Sequence, residues 1–192
     1  MAAIAATDGG WRRSPWRIAV WGIPAFLLLL PLAAMQFTAE VDWSASDFIV
    51  MGALLFGAAG TFDLAARMTD SLACRAGVGV AVVTAFLLVW INLAVGIIGS
   101  EDNPLNLMYG GVLAVAILGV LVARFRPGGM ARALLAAALA QILVAMIALI
   151  AGPDEPPGTL GILALNMIFA ALWLVSAWLF RLAARQPGSA RA

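Results

Sequence analysis

The stretch Asn92–Gly111, NLAVGIIGSEDNPLNLMYGG, is apolar at both ends and acidic in the middle. Its knot of Ser100, Glu101, Asp102, Asn103 and Pro104 has no place in hydrocarbon, where a charged side chain costs roughly 2.5–3.5 kcal/mol at mid-bilayer. On either side the chain runs uncharged from Arg75 to Glu101 and from Asp102 to Arg124. Each run suffices for a helix rising ~1.5 Å per residue to cross a ~30 Å core. The knot therefore reads as a turn between two membrane helices. Asn103 is a suitable N-cap, and proline at the next position loses no needed hydrogen bond. Glu101 and Asp102 would sit near the positive end of the following helix, where an anion is stabilised by ~0.3–1 kcal/mol.

Working outward, the same pattern recurs along the chain. Six apolar spans are predicted near residues 16–37, 47–67, 76–98, 104–123, 130–151 and 159–181. Composition agrees: 64% of the 192 residues are hydrophobic and only 11% are charged, against about 25% charged in a soluble domain. The mean hydropathy is +1.03. The loops alternate. "TAEVDWSASD", "GSEDNP" and "GPDEPP" are acidic, whereas "ARMTDSLACR" and "ARFRPGGMAR" carry arginine, as do both termini. Since Lys and Arg in short loops mark the cytoplasmic side, both termini are expected there. The predicted fold is an all-α, integral membrane six-helix bundle of three successive hairpins. It comprises a tail at 1–15, a membrane domain at 16–181 and a second tail at 182–192.

The first span could be taken for a signal peptide, but its apolar run exceeds the usual ~7–15 residues and no A-x-A site follows. It is read as a retained helix, with Pro24 and Pro31 as expected kinks. The segments resuming after each acidic turn resemble one another, as any hairpins under the same charge rule would.

Without water inside the bilayer, close approach of small residues replaces the hydrophobic effect in joining helices. Ala53, Gly57, Thr61 and Ala65 in the second span, and Ala133, Ala137, Gln141 and Ala145 in the fifth, recur every four residues. These two helices are expected at the bundle centre. Trp11, Trp16, Trp21, Trp43 and Trp178 read as interfacial belt residues, and Trp90 and Trp173 as deeper ones.

Several chemistries are excluded by what the chain lacks. With no histidine, neither bis-histidine haem ligation, HExxH zinc chemistry nor a Ser-His-Asp triad can be built. The single cysteine, Cys74, forms no intrachain disulfide. "GVGV" from Gly77 lacks the strand–turn–helix context of a nucleotide fingerprint. The arginines form no basic stripe for nucleic acid. No catalytic residue, metal or cofactor is assigned.

Three groups remain as candidate sites. Asn92, Gln141 and Asn166 could converge as a polar pocket beneath the acidic loops, or simply join helices. Glu101, Asp102, Asn103 and Asn106 offer oxygens to a cation or an external partner, although a divalent ion such as calcium wants six or more. Asp63 lies at membrane depth, where an ionisable group invites a coupling role. Arg67 follows one turn later in the acid-first order of a structural pair. Tyr109, Thr84 and Ser176 read as ordinary packing residues.

The segment "FLLVWINLAVGIIGSEDNPLNLMYGGVLAVAILG", running on into "ARFRPGGMARAL", resembles a group of small bacterial integral membrane proteins. "VGIIGSEDNP-x-NL" is the most specific part of the likeness. That resemblance implies a bacterial inner-membrane protein and brings no activity, cofactor or catalytic residue with it. The expected role is a non-enzymatic accessory, assembly or sensing component. The alternative is a small-solute or ion transporter or channel with a polar path in the outer half of the bundle. Membrane lipid, a membrane-protein partner or further copies of the chain are the expected partners.

Overall fold

The structure is a computed structural model that describes residues 15–152 and 156–186. Its helices are α1 (Pro15–Ala34), α2 (Ala45–Arg67), α3 (Leu72–Ala94), α4 (Met108–Val122), α5 (Pro127–Ala151) and α6 (Gly158–Arg185). A 3-10 turn, Pro104–Leu107, leads directly into α4. Among the described residues there is no strand, and six helical segments are long and apolar enough to cross a membrane. The all-α, six-span fold predicted above is the one observed. Asp8, Trp11, Arg12, Arg13, Asp154, Glu155 and Arg191 lie outside the described residues.

Helix ends depart from the predicted spans where caps override hydropathy. The third helix starts at Leu72 because the hydroxyl of Ser71 accepts the Cys74 amide (3.3 Å). It stops at Ala94, short of the predicted 98, because Gly96 turns the chain at φ +72°. The sixth continues to Arg185, into the segment predicted as a tail.

The chain divides into two units, residues 1–64 and 65–192. In the first, α2 opens on a capping box. Asp47 Oδ2 accepts the Ser44 amide (2.8 Å) while Ser44 Oγ accepts the Asp47 amide (3.3 Å). Trp43 and Phe48, in T-shaped contact at 5.3 Å, form the accompanying hydrophobic staple. Helix α1 runs through both of its prolines and meets α2 through rings: Trp16 on Phe62 (6.2 Å) and Trp21 on Phe56 (6.3 Å).

In the second unit, α6 packs on both α3 and α5, and α5 packs on α4. The covered face of α6 runs Ile162, Asn166, Phe169, Ala170, Trp173, Ser176, Ala177, Phe180 and Ala183, the three-to-four-residue rhythm of one helix face. The Ser176 hydroxyl donates to the Gly77 carbonyl of α3 (2.7 Å), and the Phe180 ring lies over the same glycine. Between α4 and α5 the backbones come close at Gly119, where an added Cβ would stand 2.6 Å from the Cβ of Ala133.

The predicted small-residue stripes fare differently. In α5, Ala133, Ala137, Gln141 and Ala145 are all buried. In α2, Ala53, Gly57 and Thr61 are exposed, and the covered residues are Met51, Leu55, Ala59, Asp63 and Ala66. The expectation of a central α2 stripe is thus corrected. Spacing locates a smooth face but not what meets it, and in the second unit the hub is α6, whose large side chains pack onto small ones. Trp173 is buried as expected, while Trp90 is exposed and tilts against Phe86.

Candidate functional site

Asn166 of α6 is the polar centre of the second unit. Its Oδ1 accepts from Gln141 Nε2 of α5 (2.8 Å) and from the Tyr109 hydroxyl of α4 (3.2 Å). Its Nδ2 donates to the same hydroxyl (3.0 Å) and to the Ile162 carbonyl one turn back (2.8 Å). Both lone pairs and both protons of the amide are engaged. Three helices are thereby joined at one side chain. All three residues are buried, and Gln141 Oε1 is left without a hydrogen-bond partner.

Two members of the predicted polar pocket, Gln141 and Asn166, are therefore brought together. The third is not part of this network: Asn92, half-buried on α3, donates its Nδ2 to the Leu88 carbonyl of its own helix (2.9 Å). Tyr109, read from the sequence as a packing residue, takes its place. The available signal was that the chain holds a single tyrosine, inside an apolar run where lipid cannot satisfy its hydroxyl. The network offers hydrogen bonds and one open acceptor.

The loop between α3 and α4 answers the question of the acidic knot. Asn106 is buried, and its Oδ1 accepts the amides of Ile97 (3.1 Å) and Ile98 (2.9 Å). Its Nδ2 donates to the carbonyls of Ser100 (2.8 Å) and Ile98 (3.3 Å). One side chain thus satisfies backbone groups that a loop folded over itself would otherwise leave unpaired. Asn103 Oδ1 accepts the Leu105 amide (3.0 Å), the predicted N-cap, here on the 3-10 turn. Gly96 is required: a Cβ there would lie 2.5 Å from the Ser100 carbonyl oxygen. Of the four candidate ligands, Asn103 and Asn106 are directed at backbone, whereas Glu101 and Asp102 are exposed.

Asp63, 4% exposed, forms an ion pair with Arg17 of α1 (Oδ1 to Nε, 3.5 Å). Arg67, the partner suggested by spacing, is exposed one turn further on. Arg17 was legible only as a topogenic charge, since pairing across helices leaves no trace in local spacing.

Two adjoining cavities open at the turn between α4 and α5, and neither is lined by a residue of the Asn166 network. One, of about 640 Å³, is lined by Val122, Ala123, Arg124, Arg126, Gly128, Gly129 and Arg132. The other, of about 540 Å³, shares Arg124, Arg126 and Gly128 and is otherwise mainly apolar. Comparison with known protein families, with curated proteins and with solved structures finds no match.

Proposed function

We propose that this chain is a multi-pass protein of the bacterial inner membrane, with both termini cytoplasmic, acting without enzymatic chemistry as an accessory, assembly or sensing component. The observation that carries this reading is the use of buried polarity in the second unit. Asn166 has all four hydrogen-bonding positions engaged, three of them in tying α4, α5 and α6 together, and Asn106 is wholly engaged in closing its loop. Polar groups in such positions hold helices in register. The arginine-bearing and acidic loops are short, so partners are met within the membrane or at the turns.

Native mass spectrometry of the protein extracted from its own membrane in a mild detergent or nanodisc tests this. A stoichiometric protein partner is the expected result. A monomer or homo-oligomer that retains a small solute or ion would overturn it.

One observation favours the transporter reading instead. The Oε1 of Gln141 is a buried acceptor without a donor, an arrangement that costs about 1–3 kcal/mol unless something comes to satisfy it. On that reading a solute or ion passes Gln141, and uptake into proteoliposomes is abolished by Gln141→Ala. Absence of flux for a panel of ions and small solutes would remove it.

A further inference from the structure

We infer that the α4–α5 turn is a binding site for one anionic phospholipid, its phosphate held by Arg124, Arg126 and Arg132 and part of an acyl chain lying in the adjoining slot. Three observations converge on this. The first is charge: three arginines fall within nine residues, and none makes an ion pair with a carboxylate among the described residues. Elsewhere acids do reach arginines, as Asp63 reaches Arg17 and Asp70 reaches Arg75 (3.7 Å). Among the described residues nothing neutralises the charge at this turn, which leaves it open to an anion.

The second is shape. The three guanidinium-bearing residues line a single cavity of about 640 Å³, with Gly128 and Gly129 forming part of its wall. A cavity of that size admits a phosphodiester headgroup, and arginine's fork of donors matches phosphate oxygens.

The third is amphipathy. The neighbouring cavity, of about 540 Å³, shares Arg124 and Arg126 but is otherwise walled chiefly by Ala65, Met68, Val78, Phe125 and Met130. A free inorganic anion has no use for such a slot, whereas a phospholipid has both a charged and an apolar part. Basic pockets between membrane helices accommodate anionic headgroups in this way. The turn also adopts left-handed backbone at two consecutive non-glycine residues, Arg124 (φ 50°) and Phe125 (φ 58°). Glycine at position 124 would fit that backbone better, so the arginine is separable from the conformation it occupies.

The test uses the full chain in neutral detergent, titrated with phosphatidylglycerol, phosphatidylcholine or inorganic phosphate. Lipid adducts are counted by native mass spectrometry, and the thermal midpoint is followed by intrinsic fluorescence. The expected result is a preference for phosphatidylglycerol that falls about fivefold per arginine removed, on the order of a hundredfold for Arg124→Ala, Arg126→Ala and Arg132→Ala together. Arg124→Gly supplies a variant that keeps the turn: it loses the preference while its midpoint without lipid stays level or rises. Arg181→Ala with Arg185→Ala, at the end of α6, retains the preference.

Equal binding of phosphatidylcholine overturns the inference, as does a preference that survives the triple substitution. Equal loss in the Arg181/Arg185 variant makes the effect one of bulk surface charge and also overturns it. Protection by inorganic phosphate matching that by phosphatidylglycerol assigns the site to a soluble anion instead of a lipid.

Discussion

The α1–α2 hairpin and the α3–α6 unit are built from similarly apolar helices, yet they cohere by different means. In the hairpin, aromatic rings meet tilted or stacked, and among the residues of α1 whose burial is described only Pro24 is buried. In the larger unit the backbones approach at glycine and alanine, and side-chain amides cross between helices. Hydropathy does not separate the two cases: the candidate span of α1 and that of α2 both average 1.8, and that of α6 averages 2.1. What separates them is whether a helix offers small or polar residues where a neighbour can use them. In lipid, apolarity admits a helix to the bilayer, and fit decides which helices stay together.

The comparison breaks most sharply at Gly119. Leucine there would drive α4 from α5 at a close approach of their backbones, and a loss of about 3 kcal/mol is expected in reversible unfolding from mixed micelles. A neutral result would mean that close backbone contact does not hold the larger unit together. Next comes Gly96→Ala, which sets a side chain against the Ser100 carbonyl at a left-handed φ and should cost about 2 kcal/mol. Hydrogen exchange at the amides of Ile97 and Ile98 reports it directly, because both are held only if Asn106 keeps its place.

Asn166→Leu is expected to cost about 1–2 kcal/mol, since interhelical hydrogen bonds in membranes average ~0.6 kcal/mol each. Quenching of Tyr109 and Trp173 fluorescence should rise with it as α4 and α6 loosen. The smallest effect belongs to the hairpin. At Gly57 a new Cβ would meet nothing within 4 Å, so Gly57→Leu should change stability by under about 0.5 kcal/mol. A large loss there would show that something outside the chain covers the α2 stripe, and the native mass spectrum of the variant would reveal what had been lost.

These contrasts also mark how far the sequence can be read. The spans, their number and the cap at Asn103 were legible because bilayer thickness and capping chemistry act on local residues. The α5 stripe was legible for the same reason, since Gln141 stands on one face with its alanines. Its counterpart in α2 was misjudged because Ala53, Gly57 and Thr61 have equal spacing yet stay exposed, with nothing among the described residues covering them. Within the site, Asn166 and Gln141 were visible as amides in hydrocarbon. Tyr109 was overlooked, and Asn106, seen as a candidate ligand in a loop that could equally be structural, clasps its own backbone. For Tyr109 the deciding contact is remote in sequence, 57 residues away at Asn166, whereas Asn106 bonds backbone only six to nine residues back, through a loop path that composition does not reveal. Arg17 and Asp63 belong to the same class as Tyr109.

The 3-10 turn at Pro104–Leu107 has one further consequence, which is metric. Four residues at ~2.0 Å and fifteen of α4 at ~1.5 Å reach ~30 Å, about the thickness of the hydrocarbon layer, with nothing left over. Helix α6, with 28 residues, is ~42 Å long and must lean or project, and Arg181 and Arg185 near its end suit the headgroup layer. The same unit thus holds one span with slack and one without. Thickening the bilayer would be absorbed by α6 as a change of tilt, but at the α4 side it would pull on the tight winding of Pro104–Leu107. Hydrophobic mismatch therefore acts unevenly within this unit, and its strain gathers at the clasped turn before α4.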